Sequence, residues 1–320
     1  MAAPMDLNIP HCDENLLKEK LCMSHQLGYE VVAINYYDPE LLIPKKQKKK
    51  DDAHQVKSPD KILPSKEVLQ SITKGSRKPF KVLSRVSTIL TEETQAHKLI
   101  SEEVQQFDLI AVQPTSEKTF LQACQTLNVD IITIDVTEKF NMKMRRQTIS
   151  PALERGVYFE LQYSPSIRDS TYRQYLIANA QKLMFWCKGK NVILTSGCEK
   201  AMELRGPYDV ANLGLLFDLN ENQAKDTVMK NCQAVLSHSE GRKDYTKSTI
   251  KVEKVKELSK TDMWIVDKSD ALQNCEEFDL ENNAVSDLHQ FDSSDNDDEE
   301  EDHDSDAVES EPKKIKLMTT

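Results

Sequence analysis

Apolar residues fall into two alternating kinds of run along this chain. Short, nearly continuous β-branched runs recur, such as Val31-Val32-Ala33-Ile34 and Ile131-Ile132-Thr133-Ile134. A run without polar alternation is the pattern of a strand buried on both faces. Strands are predicted at 6–9, 30–36, 81–89, 108–112, 130–136, 157–161 and 191–195. Between them the apolar positions take helical spacing. Leu16, Leu17, Leu21 and Leu27 form one stripe, residues 94–107 a weaker one, and Phe120, Leu121, Cys124 and Leu127 a third. An extra helix is expected at 66–73. Asp169 or Ser170 is placed to cap a helix striped by Tyr172, Leu176, Ala180, Leu183 and Cys187. From Gly206-Pro207 onward the pattern is helical, with Val210, Leu213 and Phe217 in one stripe. A second stripe over 221–237 carries Val228, Cys232 and Val235.

Alternating strand and helix is the signature of a parallel sheet with right-handed crossovers. Seven such units over about 200 residues predict an α/β, TIM-barrel-like fold with one unit irregular or missing. A doubly wound open sheet is the competing reading, but neither G-x-G-x-x-G nor GxxxxGK[ST] occurs. The long interval between the second and third strands holds a Lys-rich insertion at about 44–65. The barrel-like domain is expected over 1–250 and a tail over 251–320. Residues 287–311 contain 13 acidic residues and no Lys or Arg. Such a stretch cannot bury enough apolar surface to fold and is expected to be disordered.

Charge changes the picture only once it is divided along the chain. The formal net charge of −11 over 320 residues belongs to the tail, and the body is near neutral. A whole-chain average therefore hides local basic clusters. Lys313, Lys314 and Lys316 close the chain as a basic cluster of nuclear-import type, and Ser294 and Ser305 lie in acidic surroundings as candidate phosphorylation sites. The cysteines are 7 in number and no pair is spaced CxxC, so reduced thiols in a nuclear or cytosolic setting fit better than disulfides or a zinc finger. No run of 18 apolar residues and no secretory leader pattern is present, so no membrane partner is expected.

Barrel enzymes carry reactive side chains at the C-terminal ends of their strands. Those ends read Asn8, His11, Asn35, Ser87, Gln113, Asp135, Gln162, Thr195 and Ser196, a set poor in bases and ligands. The fold together with Asp6, His11 and His238 is the only support for a metal-dependent phosphoesterase, with a structural role for Asp6 and His11 as the alternative. There is no G-x-S-x-G. Cys198 is the thiol best placed for exposure, with packing its more ordinary role. The cations are more telling. Lys45, Lys46, Lys48, Lys49 and Lys50 form a run in the insertion. Arg85 lies along the third strand; Lys143, Arg145, Arg146 and Arg155 crowd the connection between the fifth and sixth; Arg168 and Arg205 follow the sixth and seventh. Clustered Lys and Arg neutralise phosphates, and Arg does so with bidentate geometry. Arg85, Lys143, Arg145, Arg146, Arg155, Arg168 and Arg205 are therefore the candidate RNA-phosphate contacts, with ordinary solvated charge as the bland alternative. No base-stacking aromatic platform accompanies them, which points to recognition by backbone and shape.

Several segments resemble one family. They include Met5-Asp6-Leu7-Asn8-Ile9-Pro10, Leu27-Gly28-Tyr29-Glu30-Val31, Asp130-Ile131-Ile132-Thr133-Ile134-Asp135 and Thr195-Ser196-Gly197-Cys198. The most specific is Arg205-Gly206-Pro207-Tyr208-Asp209-Val210-Ala211-Asn212-Leu213. Over about 1–250 the chain resembles the thirty-kilodalton protein subunits of eukaryotic and archaeal ribonuclease P. The resemblance implies a barrel related to the polymerase-and-histidinol-phosphatase (PHP) hydrolases. Those enzymes carry a His-x-His metal pair after the first strand; the corresponding stretch here is Asp6-Leu7-Asn8-Ile9-Pro10-His11, so that pair is absent. The resemblance further implies that catalysis on precursor tRNA belongs to the ribonuclease P RNA and its Mg²⁺, with no cofactor bound by this chain. A small α/β partner subunit of the Pop-five type, a second role in ribonuclease MRP on ribosomal RNA precursors, and a place in the nucleus and nucleolus are likewise implied. A pure protein scaffold that touches little RNA is the remaining alternative.

Overall fold

The computed structural model describes residues 3–39, 41–42, 57–74, 79–139 and 144–244. Each continuous apolar run becomes a parallel strand, and each helical stripe returns the chain to the sheet. In order the elements are β1 (Met5–Pro10), α1 (Glu14–Leu27), β2 (Val31–Tyr37), α2 (Lys66–Thr73), β3 (Lys81–Leu90), a 3-10 helix (Glu93–Ile100), α3 (Glu102–Gln105), β4 (Leu109–Pro114) and α4 (Glu117–Gln125). There follow β5 (Ile131–Thr133), α5 (Arg146–Glu154), β6 (Tyr158–Gln162), α6 (Ser164–Arg168), α7 (Ser170–Cys187), β7 (Val192–Thr195), α8 (Pro207–Leu215), α9 (Glu221–Asp226) and α10 (Lys230–Asp244). The seven strands pair in chain order and all pairs are parallel. No helix among the described residues is long and apolar enough to cross a membrane.

The sheet curls into a barrel that lacks only its eighth strand. At the seam between β7 and β1, the Ser196 hydroxyl and the Gly197 N–H both donate to the Asn8 carbonyl at 3.0 Å. Lower down, Leu194 N–H donates to Thr227 O and Met5 N–H to Val228 O at 2.9 Å. Two residues of backbone thus satisfy edge groups that an eighth strand would have paired. They also explain why the stripe over 221–237 is not one helix: the chain breaks at Thr227 to reach the seam, then resumes as α10.

The core has two layers. Val32, Ile34, Val86, Ile110, Val112, Ile132 and Phe159 face outward onto the helices. Met5, Leu7, Ala33, Leu83, Leu109, Ile131, Tyr158 and Ile193 face inward, and Cys232, Val235 and Leu236 of α10 close that layer from the N-terminal end of the barrel. Farther along α10 the fully buried Arg242 guanidinium grips Asp130 at 3.1 Å and donates to Gln105, Phe107 O and Asp108 O. His238 stands 2.9 Å from the same carboxylate.

Other departures from the pattern are local. The segment 94–107 is a 3-10 helix and then one α-turn, because Ser101 is extended (φ −61°, ψ 145°) and breaks the stripe. Helix α5 is not foreseen by the pattern, since Pro151 interrupts it; Ile149 and Ala152 bury its inner face all the same. Asp169 does cap α7, its carboxylate accepting from Thr171 N–H at 2.6 Å. The tail, the run Lys45–Lys50, Lys143, Ser294, Ser305, Lys313, Lys314 and Lys316 lie outside the described residues.

Candidate functional site

The barrel centre is built from inward positions of alternating strands. On β3, inward Leu83 is followed two residues later by Arg85; on β6, inward Tyr158 is followed by Glu160. Both charges are fully buried and they form a bidentate pair, with each guanidinium terminus 2.6 Å from one carboxylate oxygen. Arg85 donates further to Leu7 O at 2.8 Å and to the Ser87 hydroxyl at 3.0 Å. Glu160 accepts in addition from Thr133 (2.6 Å), Thr195 (2.7 Å) and Asn8 (3.2 Å). Asn35 then donates to Asn8 Oδ1 at 2.8 Å. Burial alone would raise the Glu160 pKa, but the arginine and the hydroxyl donors outweigh it and hold it below the usual value.

This donor set does not fit a hydrolase metal centre. Both oxygens of Glu160 are spent on Arg85 and the threonines, and the guanidinium itself fills the middle of the barrel. Among the described residues no three His, Cys, Asp or Glu side chains converge as metal ligands. Asp6 and His11 lie toward the mouth and the seam, whereas His238 lies with Asp130 at the opposite end, so the trio expected for a phosphoesterase is not assembled. Cys198 is fully buried, in keeping with the packing role that was its more ordinary reading, and burial followed by the Asp6 charge pushes its thiol up to about 12.

Asp6 is a poorly satisfied charge beside this centre. Its Oδ1 accepts from Ser196 N–H (3.1 Å) and Asn8 N–H (3.2 Å), while the buried Oδ2 has no partner. Burial raises its pKa from 3.8 to about 6. The folded state therefore holds this proton more tightly than the unfolded chain, and stability from this group falls as pH rises from about 4 to about 6. Asp6→Asn keeps the Oδ1 acceptor and removes the charge. It should raise stability at pH 7.5 by up to about 3 kcal/mol and flatten that slope. Urea denaturation of both proteins across pH 4–8 measures it; parallel curves would count against the assignment.

The nominated cations do not form one cluster. Arg85 is corrected outright: it is 0% exposed and cannot meet an RNA phosphate. Arg155 is corrected as well. Its half-buried guanidinium donates to the carbonyls of Cys124 and Leu127, closing the C-terminal end of α4. Arg168 is exposed but engaged by Glu199 and by Glu203 at 3.5 Å. Arg145 and Arg146 are exposed at the start of α5, whose first turn carries no acidic residue. Lys139, also exposed, precedes them on the same β5–α5 connection at the barrel mouth. Arg205 is exposed beside α8. Sequence reading missed Glu160, Tyr163, Asp130 and Arg242; a charged residue inside an otherwise buried strand was the available signal for the first.

With the geometry in view, comparison with known proteins decides the family. Residues 3–244 match the family model described as RNase P subunit p30. The chain belongs to this family. It is 43% identical over 246 residues to "Ribonuclease P protein subunit p30" of Mus musculus, covering 76% of this chain and 88% of that protein. It is 25% identical over 232 residues to "Ribonuclease P/MRP protein subunit RPP1" of Saccharomyces cerevisiae, covering 67% of this chain and 74% of that protein. A chain of the archaeal ribonuclease P solved with mature tRNA shares the fold, with a TM-score of 0.58 at 17% identity over 80% of this chain and 99% of that one. The barrel geometry explains what the p30 segment Arg205–Leu213 does locally. Tyr29 OH donates to Arg205 O (2.9 Å) and Arg205 N–H donates to Tyr163 OH (3.0 Å), which ties the loop to two strands' ends. Gly206 then caps α8 and Pro207 opens it, with no N–H to leave unsatisfied.

Proposed function

We propose that this ribonuclease P subunit works as a non-catalytic support for the catalytic RNA. In this reading the RNA and its Mg²⁺ ions cleave precursor tRNA, and the protein holds phosphates that would otherwise repel. A second role in ribonuclease MRP, pairing with a small α/β subunit of the Pop-five type, and residence in the nucleus and nucleolus through Lys313, Lys314 and Lys316 belong to the same proposal. The observation that carries it is the contrast between centre and rim. Arg85 and Glu160 consume each other at the barrel centre, while Arg145 and Arg146 stand exposed at the mouth. The open N-terminal end of α5 adds its partial positive charge to theirs. Lys143, from the same connection, completes the nominated set.

Charge reversal at Arg145 and Arg146 tests the reading. RNA association should weaken across all RNA sequences, and the slope of log K against log salt should shrink by about one for each phosphate no longer neutralised. Filter binding of the ribonuclease P RNA at several salt concentrations measures both. An unchanged affinity and slope would remove these residues from the interface. Purified chain that cleaved RNA on its own would overturn the non-catalytic role.

A further inference from the structure

Six of the ten large apolar side chains exposed among the described residues lie between 172 and 216. Met202 is 78%, Tyr208 64% and Leu216 56% exposed. On α8, Val210, Ala211 and Gly214 face the core, so Tyr208 and Leu215, two turns apart, are left on the outer face. Beside them α7 and α8 enclose a cleft of about 310 Å³ whose apolar wall includes Ile167, Ile177 and Leu213. Arg173 and Arg205 stand on its rim. Arg173 Nε is held by Ser166 O at 3.0 Å, and Arg205 Nη1 by Met202 O and Leu204 O at 2.9 and 2.8 Å. Neither guanidinium has a carboxylate partner among the described residues. Both are thus oriented by carbonyls with further N–H groups to offer.

We infer that this cleft is the docking surface for a companion protein subunit, which inserts an apolar helix face beside Tyr208 and Leu216 and offers a carboxylate to Arg173 and Arg205. The inference rests on the reading that the chain works inside a multi-subunit particle. Contiguous exposed apolar surface marks interaction sites on soluble proteins. Tyr, Met and Arg around an apolar cleft is the composition of a protein interface and its hot spots. A nucleic acid fits worse, because Ile167, Leu176, Ile177, Val210, Leu213 and Leu216 make the lining mostly apolar, and among the described residues Arg173 and Arg205 are the only cations it offers to a phosphate backbone. Arg205 is accordingly reassigned from the RNA-facing set to a carboxylate-facing one. One wall of the cleft, with Arg205, Asp209, Val210 and Leu213, comes from the Arg205–Leu213 segment, and the whole lining falls inside the span matched by the family model.

The test places a photo-crosslinking phenylalanine derivative at Tyr208, and separately at Leu215, in the full chain within the assembled native particle. Both probes are expected to crosslink to one and the same companion protein. A third probe at Arg146 is expected to crosslink to RNA. Crosslinks from 208 and 215 to RNA, to a second copy of this chain, or to nothing would each overturn the docking surface. Absence of the Arg146–RNA crosslink, with 208 still meeting protein, would instead fail the RNA-support reading alone. As a second measure, Tyr208→Asp with Leu216→Asp should keep the circular dichroism of the parent and lower its incorporation into the particle by about tenfold or more. Folded double variant that enters the particle as the parent does would also overturn the inference.

Discussion

Replacing Arg85 with methionine is expected to remove about 3–5 kcal/mol of folding stability, because it strands the Glu160 carboxylate in the barrel centre. The donors that remain compensate only in part: Thr133, Thr195 and Asn8 supply hydrogen bonds but no charge. The pH dependence gives the sharper readout. In the parent, the pKa of Glu160 is depressed, so the pair contributes stability above the ordinary carboxyl range and loses it as pH falls. Without Arg85, burial dominates and raises that pKa, so the deficit of the variant grows as pH rises. Urea denaturation at pH 5 and pH 8 compares the two. Adding Glu160→Gln to Arg85→Met removes the stranded charge and should recover part of the stability. A single variant with parental stability at both pH values would refute the assignment of this pair as the centre's organising contact.

Most of the fold was legible because burial on two faces leaves a plain mark. All seven strands are found within a residue or two of where continuous apolar runs place them, except β5, which is shorter than its run. The helices were legible where one stripe met one cap, as at Asp169 and α7. They were misread where tertiary contacts overrode the stripe. Thr227 and Val228 leave the helix to serve the seam, and nothing in residues 221–237 records that a sheet edge waits for them. Helix α5 announces itself by no stripe and holds Pro151 within it, yet the packing of Ile149 and Ala152 decides.

The site was legible in kind more than in detail. A ligand-poor set of strand ends was visible in Asn8, Asn35, Ser87 and Thr195, and these are the residues that surround the central pair. Charge was read by its clustering along the chain, and that is where the reading went astray. Arg85 and Arg155 looked like surface cations, but one faces a glutamate 75 positions away and the other the end of a neighbouring helix. The partner of a buried charge comes from another strand, and one-dimensional spacing does not report it. Arg85 at an inward register position of a buried strand carried the warning, since an unpaired charge there would be prohibitive.

Ending the chain at residue 250 is expected to leave the barrel folded, whereas ending it at 229 is expected to abolish folding. The shorter chain lacks α10, and with it the Cys232, Val235 and Leu236 side chains that cover Met5, Leu7, Leu83 and Ile193. Burial of one such aliphatic side chain contributes about 1.5–3 kcal/mol. The same cut removes Arg242 and His238 from Asp130, leaving a fully buried carboxylate held by Ile110 N–H at 2.9 Å and little else. Breaking such a pair costs about 3–5 kcal/mol. Together these deficits rival the about 5–15 kcal/mol that holds an ordinary domain. Arg242→Met in the full chain isolates the second contribution and should lower stability without removing the plug. Circular dichroism melts of the two truncations and the point variant measure the series. A cooperative transition near the parental midpoint for the chain ending at 229 would show that the barrel closes without its plug. Failure to fold at 250 would instead place part of the domain in residues beyond α10.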